Sequence, residues 1–316
     1  MKAPPDPAVL REVRDVAMDA LRPLPGGACT KGIDIRPNAY ESRSRSRLIT
    51  VEMADLPPLD IFCKAGPGAT LNAVGDPSEI DYEAYVYEQI IGPWCVPSPT
   101  FYGRIEGERS GLSYLLISWL DGFQRINKAP QPRSILTAAR WLGAVHRGDA
   151  EATRQLPPGL NLYDVHMFDR WMSNALAFHP MGGPGGVMRY GNVLVELAAA
   201  EPTLVHDDCY PENALIRGDA VQAIDWEWAG WGAGEIDLAA LTEGWGDELG
   251  RACTDAYAAT RWPNGAPYDF ALMVVRARLY LATRWLGGRP DRSEDPQTKA
   301  YLETVQETVA AFGDSR

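Results

Sequence analysis

Basic side chains are in short supply: 30 Lys and Arg stand against 42 Asp and Glu, leaving the 316-residue chain at −12 with only four histidines. A surface of that sign excludes a general binder of nucleic acid or other polyanions and suits a cationic small substrate. Cysteine is scarce too. Cys29, Cys63, Cys95, Cys209 and Cys253 are odd in number, widely scattered and never at C-x-x-C spacing. That excludes a disulfide scaffold or zinc ribbon and predicts reduced thiols, mostly in the core. Long apolar runs are missing: the richest, Ala271 to Ala282, is broken by Arg276 and Arg278, and Met1 to Pro7 lacks the apolar stretch of a leader. The expectation is a soluble, cytoplasmic protein that engages no membrane. A phosphate-cradling glycine loop is also lacking. G-x-x-x-x-G-K-[ST] does not occur and Gly66-Pro67-Gly68 has no third glycine, which argues against P-loop and dinucleotide-fold sites.

What is present is apolar material, 46% of residues, enough for one large domain or two modest ones. Apolar residues at helical spacing predict a leading helix over Asp6 to Leu24, stopped by Pro23-Leu24-Pro25-Gly26-Gly27. From Cys29 to Gly122 the texture changes to short strands at Ile33 to Ile35, Leu48 to Met53, Leu59 to Cys63 and Tyr114 to Trp119, with one helix at Ser78 to Ile91. Beyond Pro132 helices dominate, at Pro132 to Arg147, Tyr163 to Phe178, Gly191 to Ala200, Gly246 to Arg261, Tyr268 to Leu286 and Pro296 to Phe312. A single hairpin, Asn213 to Asp225, interrupts them, and His179 to Gly186 is too rich in glycine for regular structure. The pattern is α+β: a β-rich part over residues 1–118 and a larger helical part over 119–316, with no internal repeat.

The densest polar cluster is His206-Asp207-Asp208-Cys209-Tyr210-Pro211-Glu212-Asn213, set between Leu204-Val205 and Ala214-Leu215-Ile216. Gly218-Asp219 makes a two-residue turn, which pairs Asn213 with Ile224 and places Asn213 and Asp225 at the open end of one hairpin. Paired strands lie roughly 4.8 Å apart, so an amide oxygen and a carboxylate there can converge on a hard cation. Asp208 sits on the loop feeding the first strand. A carboxylate base beside such a cation is what phosphoryl transfer to a hydroxyl requires. Taken singly, each of these residues reads as readily as a turn or hairpin-end residue.

Together they resemble the aminoglycoside phosphotransferase and choline kinase group, whose signature is H-G-D-x-x-x-x-N, then I-D-W/F-E, then D-L-A. This chain has His206-Asp207-Asp208-x-x-x-x-Asn213, Ile224-Asp225-Trp226-Glu227 and Asp237-Leu238-Ala239, in that order. The resemblance runs from about Gly32 to Leu286 and implies a bilobal protein-kinase-like fold. It implies Asp208 as catalytic base, Asn213 and Asp225 as Mg²⁺ ligands, His206 as a loop-positioning residue, and Asp237 as a buttress of the catalytic loop. The one departure is Asp207, where the group has glycine: it restricts the backbone at that turn and adds a carboxylate.

The same resemblance implies a nucleotide clamp in the first part, with ATP as donor and GTP left open. Lys64, closing the strand Leu59 to Lys64, matches the phosphate-pairing lysine, and Glu83 is preferred over Glu79 and Glu88 as its partner. Leu115 to Gly122 resembles the hinge, whose backbone at Ile117, Ser118, Trp119 and Leu120 would hold adenine. Arg36 to Arg47 alternates Ser and Arg, so a strand there would present Ser42 and Ser44 to phosphates; an edge strand guarded by its arginines is the alternative. Trp141 to His146 resembles a helix of the group whose histidine is structural.

The acceptor is expected to be a small hydroxylated molecule of aminoglycoside, sugar or antibiotic type. Asp207, Glu212, Trp226, Glu227, Trp228, Trp231, Glu243, Trp245, Asp247 and Glu248 form an acidic, tryptophan-rich group around the motif that suits a cationic or sugar-like ligand. A metabolic kinase of choline-like or amino-acid substrates, or a catalytically silent nucleotide-binding module, are the alternatives. Sequence leaves the oligomeric state open.

Overall fold

Alternation in the strand Leu59–Pro67 (β3) sets the arrangement of the first part: Ile61, Cys63 and Ala65 point to one face and Phe62 and Lys64 to the other. In a computed structural model of the chain, which describes residues 7–21, 30–38, 45–54, 56–67, 79–108, 110–150, 156–179, 191, 193–289 and 295–313, β3 lies at the centre of a five-stranded antiparallel sheet. Its order is β1 (Thr30–Pro37), β2 (Arg45–Met53), β3, β5 (Leu112–Ser118), β4 (Phe101–Glu106). The apolar face buries Ile49, Val51, Ile61, Cys63, Tyr114 and Leu116 against Val13, Val16 and Ala17 of the helix Pro7–Leu21 (α1). The helix Glu79–Val86 (α2) continues into a wider turn at Tyr87–Ile91, closed by the Gly92 N–H on the Tyr87 carbonyl at 3.1 Å.

The chain divides into two compact units, one of residues 1–123 with 222–227 and the other of 124–221 with 228–316. The first thus extends past the expected limit at Ser118 and includes Asp225 and Glu227. Of the expected strand Arg36 to Arg47, Arg36 and Pro37 end β1 and Arg45 to Arg47 begin β2, with Pro37 paired to Arg47, and residues 39–44 lie outside the described residues. β4 is absent from the sequence reading, because Gly103 puts a bulge in the middle of a six-residue strand.

The second unit carries helices α3 (Arg133–Ala150), α4 (Val165–Phe178), α5 (Glu235–Leu241), α6 (Asp247–Arg261), α7 (Phe270–Gly287) and α8 (Pro296–Gly313), with a further helical stretch at 193–198. Asp164 caps α4, its Oδ1 accepting the Met167 N–H at 3.0 Å. Every residue of α5 is buried. Ile236, Ala239 and Ala240 pack with Phe168, Trp171 and Tyr280, while Leu238 and Leu241 pack with Leu142 and Tyr257. The expected hairpin forms from β9 (Ala214–Arg217) and β10 (Ala220–Ala223), with Gly218 at φ 63° in its turn, and adds β6 (Gln124–Arg125) at its edge.

A second small sheet, β7 (Asn161–Leu162), β11 (Gly230–Ala233) and β8 (Pro202–Val205), lies outside the sequence expectation. Its strands run two to four residues, too short for a period-two pattern to register. Cys63, Cys209 and Cys253 are buried and unpaired, as expected, whereas Cys95 is exposed. No helix among the described residues is long and apolar enough to cross a membrane.

Gly230 lets this small sheet close on Tyr163: a Cβ there would fall 2.4 Å from Tyr163 Cε2 and 2.7 Å from the Asn161 carbonyl oxygen. Gly230→Ala must therefore displace backbone as well as a ring, at a cost of roughly 2 kcal/mol. Urea denaturation should show a lower midpoint at constant slope. An unchanged midpoint would mean that β7 gives way freely.

Candidate active site

In the first unit, Lys64 is the centre of a buried cluster. Its ammonium, 6% exposed, donates to Glu83 Oε2 at 2.8 Å, Glu227 Oε2 at 2.7 Å and Asp225 Oδ1 at 3.2 Å. The pairing of Lys64 with Glu83 follows the sequence expectation. It arises because the even-numbered face of β3 meets α2, and Glu83 is itself only 1% exposed. Burial opposes the ammonium charge, but three carboxylates outweigh it and hold the Lys64 pKa well above its ordinary range. Burial also pushes Glu83 upward, against the pull of Lys64.

Asp225 adopts φ 63° and keeps 38% of its side chain exposed, so its second oxygen can serve another ligand. Glu227, expected on the substrate side, is instead a partner of Lys64. The signal was its place at the end of Ile224-Asp225-Trp226-Glu227.

The hinge residues are also in this unit. Ile117 pairs with Phe62 and Phe101, the Ser118 N–H donates to the Thr100 carbonyl at 2.8 Å, and the Trp119 N–H donates to the Asp60 carbonyl at 3.0 Å. Those two donors are engaged within the unit. Ser42 and Ser44 lie outside the described residues.

In the second unit, the loop His206–Asn213 hangs from Asp237 in the first turn of α5. Asp237 Oδ2 accepts the His206 N–H and Oδ1 accepts the Asp207 N–H, both at 2.8 Å. His206 Nδ1 in turn accepts the Asp208 N–H at 3.3 Å. His146 stands behind them, Nε2 3.4 Å from Asp237 and Nδ1 2.8 Å from the Tyr257 hydroxyl, as befits a structural histidine.

Asp208 projects from this loop with 33% of its side chain exposed. The Asn213 amide nitrogen donates to the Asp208 carbonyl at 2.9 Å and to Oδ2 at 2.8 Å. Asn213 is thereby oriented: its nitrogen faces Asp208 and its oxygen is the end offered to a cation. Among the described residues no three His, Cys, Asp or Glu gather as a metal cage. Each expected ligand keeps within its own unit an oxygen of the type Mg²⁺ takes, the amide oxygen of Asn213 in the second and a part-exposed carboxylate oxygen of Asp225 in the first.

Asp207 takes φ 60°, the backbone region that glycine enters freely, and is fully buried. Its Oδ2 lies 2.9 Å from Arg284 Nε and accepts from the Tyr280 hydroxyl at 3.2 Å. Asp207 is thus no substrate contact, and neither is Trp226, 2% exposed with its indole N–H on Ser98 and the Ala223 carbonyl. Glu212, Asp247 and Glu248 of that group remain exposed. Arg284 was not singled out from sequence, though a cation in the apolar run of α7 was the available sign.

Burial lifts the Asp207 carboxyl from 3.8 to about 7, with Arg284 and the Tyr163 hydroxyl working against it and Asp237 and Asp208 reinforcing it. Between those values the folded protein holds a proton that the unfolded chain has released. This contribution to stability is complete below pH 3.8 and is lost as pH rises through about 7. Asp207→Asn removes the titration. Denaturation of both proteins across this range should give a stability difference that changes with pH in favour of the variant; a constant difference would show that Asp207 does not titrate there.

The phosphotransferase enzyme family matches residues 77–270, a span that begins after Lys64 and contains Glu83, the hinge, the loop His206–Asn213, Asp225 and Asp237. No curated protein matches in sequence. Solved structures similar to this chain include a choline/ethanolamine kinase family protein from Mesorhizobium loti, 18% identical with a TM-score of 0.57 over 96% of this chain and 95% of the other. Choline kinase LicA from Streptococcus pneumoniae is 11% identical with a TM-score of 0.62 over 96% and 99%. An aminoglycoside-3'-phosphotransferase of type VIII is 19% identical with a TM-score of 0.50 over 83% and 97%. These likenesses carry the α+β kinase-like fold that the motifs implied. With more than half of its length matched, the chain belongs to the phosphotransferase enzyme family.

Proposed function

We propose that this protein is an ATP- and Mg²⁺-dependent kinase that moves the γ-phosphoryl group to a hydroxyl of a small molecule. The observation that carries the reading is the contrast between two adjacent aspartates: Asp207 is sealed inside the unit, while Asp208 is exposed and held by the Asn213 amide. Membership of the phosphotransferase family supports the reaction class.

In this reading Asp208 accepts the proton of the acceptor hydroxyl and aligns its oxygen for in-line attack. Asn213 fixes one carboxylate oxygen and leaves the other to the hydroxyl. Lys64, kept protonated by its carboxylates and oriented by Glu83, supplies positive charge to the donor phosphates. Asn213 and Asp225 would hold Mg²⁺, which neutralises phosphate charge when bound. Asp237 keeps the base in place through the backbone of its loop. The acceptor belongs to the aminoglycoside, sugar or antibiotic class, and the exposed Glu212, Asp247 and Glu248 favour a cationic one.

The test is incubation with Mg²⁺-ATP or Mg²⁺-GTP and a panel of aminoglycosides, other antibiotics, sugars, amino alcohols and hydroxy amino acids, read by mass spectrometry. A phosphate adduct should appear, and Asp208→Ala should lower its rate by about two to four orders of magnitude while nucleotide binding persists. Adducts confined to choline-like or amino-acid compounds would make it a metabolic kinase. Tight Mg²⁺-nucleotide binding without turnover on any compound or on water would identify a silent binding module.

A further inference from the structure

Arg284 stands between two carboxylates on unequal terms. Its Nε is 2.9 Å from Asp207 Oδ2, an ion pair without the alignment of a hydrogen bond, while its Nη1 is 3.5 Å from Asp208 Oδ1. The guanidinium is 14% exposed and lies over the Trp228 ring, 4.8 Å from its centroid, so it cannot retreat into water. Tyr280 donates to the same Asp207 oxygen, and the other, Oδ1, has no hydrogen-bond partner among the described residues.

On Asp208 the two oxygens differ as well. Oδ2 is taken by the Asn213 amide, and Oδ1 is the one left for an incoming hydroxyl. A guanidinium this close would ordinarily close onto Oδ1 and occupy it, since a planar fork and a carboxylate prefer short contact. Here it does not, and among the described residues the only other carboxylate touching it is Asp207.

We propose that Asp207 and Arg284 form a positioning pair in which Asp207 anchors the guanidinium and keeps it from capping the reactive oxygen of Asp208. The inference rests on the reading of Asp208 as the base. It accounts for the extra carboxylate, since a second cation sits near the base and Asp207 sets its distance.

The decisive variant is Asp207→Gly, which φ 60° accepts without strain and which removes a buried charge. Freed from its anchor, Arg284 should close on Asp208. A crystal structure of the variant, set beside one of the parent chain, should show the guanidinium at hydrogen-bonding distance from Oδ1. Turnover, followed as γ-phosphate release from Mg²⁺-ATP to water at a pH where Asp207 is ionised, should fall by about tenfold or more with KM for Mg²⁺-ATP unchanged. Removing the guanidinium as well, in Asp207→Gly with Arg284→Met, should restore most of the turnover.

A loop merely slackened by glycine would lower turnover in both variants alike, and that result would overturn the proposal. So would an Arg284 that stays in place in Asp207→Gly, or one that moves without any loss of turnover. If Asp208→Asn transfers phosphate as fast as the parent, or if neither transfers at all, the base reading fails instead. The position of Arg284 in the two crystal structures still decides whether Asp207 anchors it.

Discussion

Two backbone hydrogen bonds set the geometry on which the site depends. Asp237 accepts the His206 and Asp207 amides with its two oxygens, and it does so from a helix buried at every residue. A carboxylate at the start of a helix is favoured by the local dipole, and here it also satisfies loop donors that have no strand or helix partner. Fixing both amides forces the chain to turn at Asp207 through the left-handed region, which is what brings Asp208 out of the loop toward solvent. The partial exposure of Asp208 is therefore a consequence of a buried acid thirty residues downstream.

The second constraint is the treatment of buried charge. Neither buried cation is left to one partner: in the first unit Lys64 has three carboxylates, and in the second Arg284 has two. Burying an ion costs several kcal/mol unless its neighbours replace water, so such clusters add little net stability. What they supply is orientation. An ammonium held by three acceptors keeps one direction, and a guanidinium sandwiched between carboxylate and indole keeps one distance. Both are useful where a phosphoryl group has to meet its acceptor within a fraction of an ångström.

Much of this was legible in the sequence, for a physical reason. The loop His206–Asn213 and the segment Ile224–Glu227 are short and irregular, so their residues stood out by spacing, and the place of Asp237 came from the resemblance of Asp237-Leu238-Ala239 to the group's third motif. The pairing of Lys64 with Glu83, implied by the family resemblance, joins a strand and a helix adjacent in the chain. Contacts between distant segments were not legible. Glu227 reaches Lys64 across 163 positions, and Arg284 reaches Asp207 from a helix whose apolar pattern speaks only of core. The sheet of β7, β11 and β8 was missed because tertiary packing around Tyr163, and not any local preference, extends those few residues.

Asp207 shows how a departure from a motif should be weighed. In the sequence it is one of the features behind the alternative of a silent binding module, since it replaces a glycine and adds a charge next to Asp208. A non-glycine residue in the left-handed region costs about 1 kcal/mol, and aspartate is among the residues that tolerate it best. The greater cost is a carboxylate with no exposure to water, which Arg284 and the Tyr280 hydroxyl, neither of which belongs to the motif, offset in part, Oδ1 having no hydrogen-bond partner among the described residues. A change that merely disabled the loop would displace its backbone. Here both amides still reach Asp237 at 2.8 Å, and Asn213 still grips Asp208. The glycine and the aspartate are two solutions to the same turn, the second of which brings a cation to the side of Asp208 and must also hold it there.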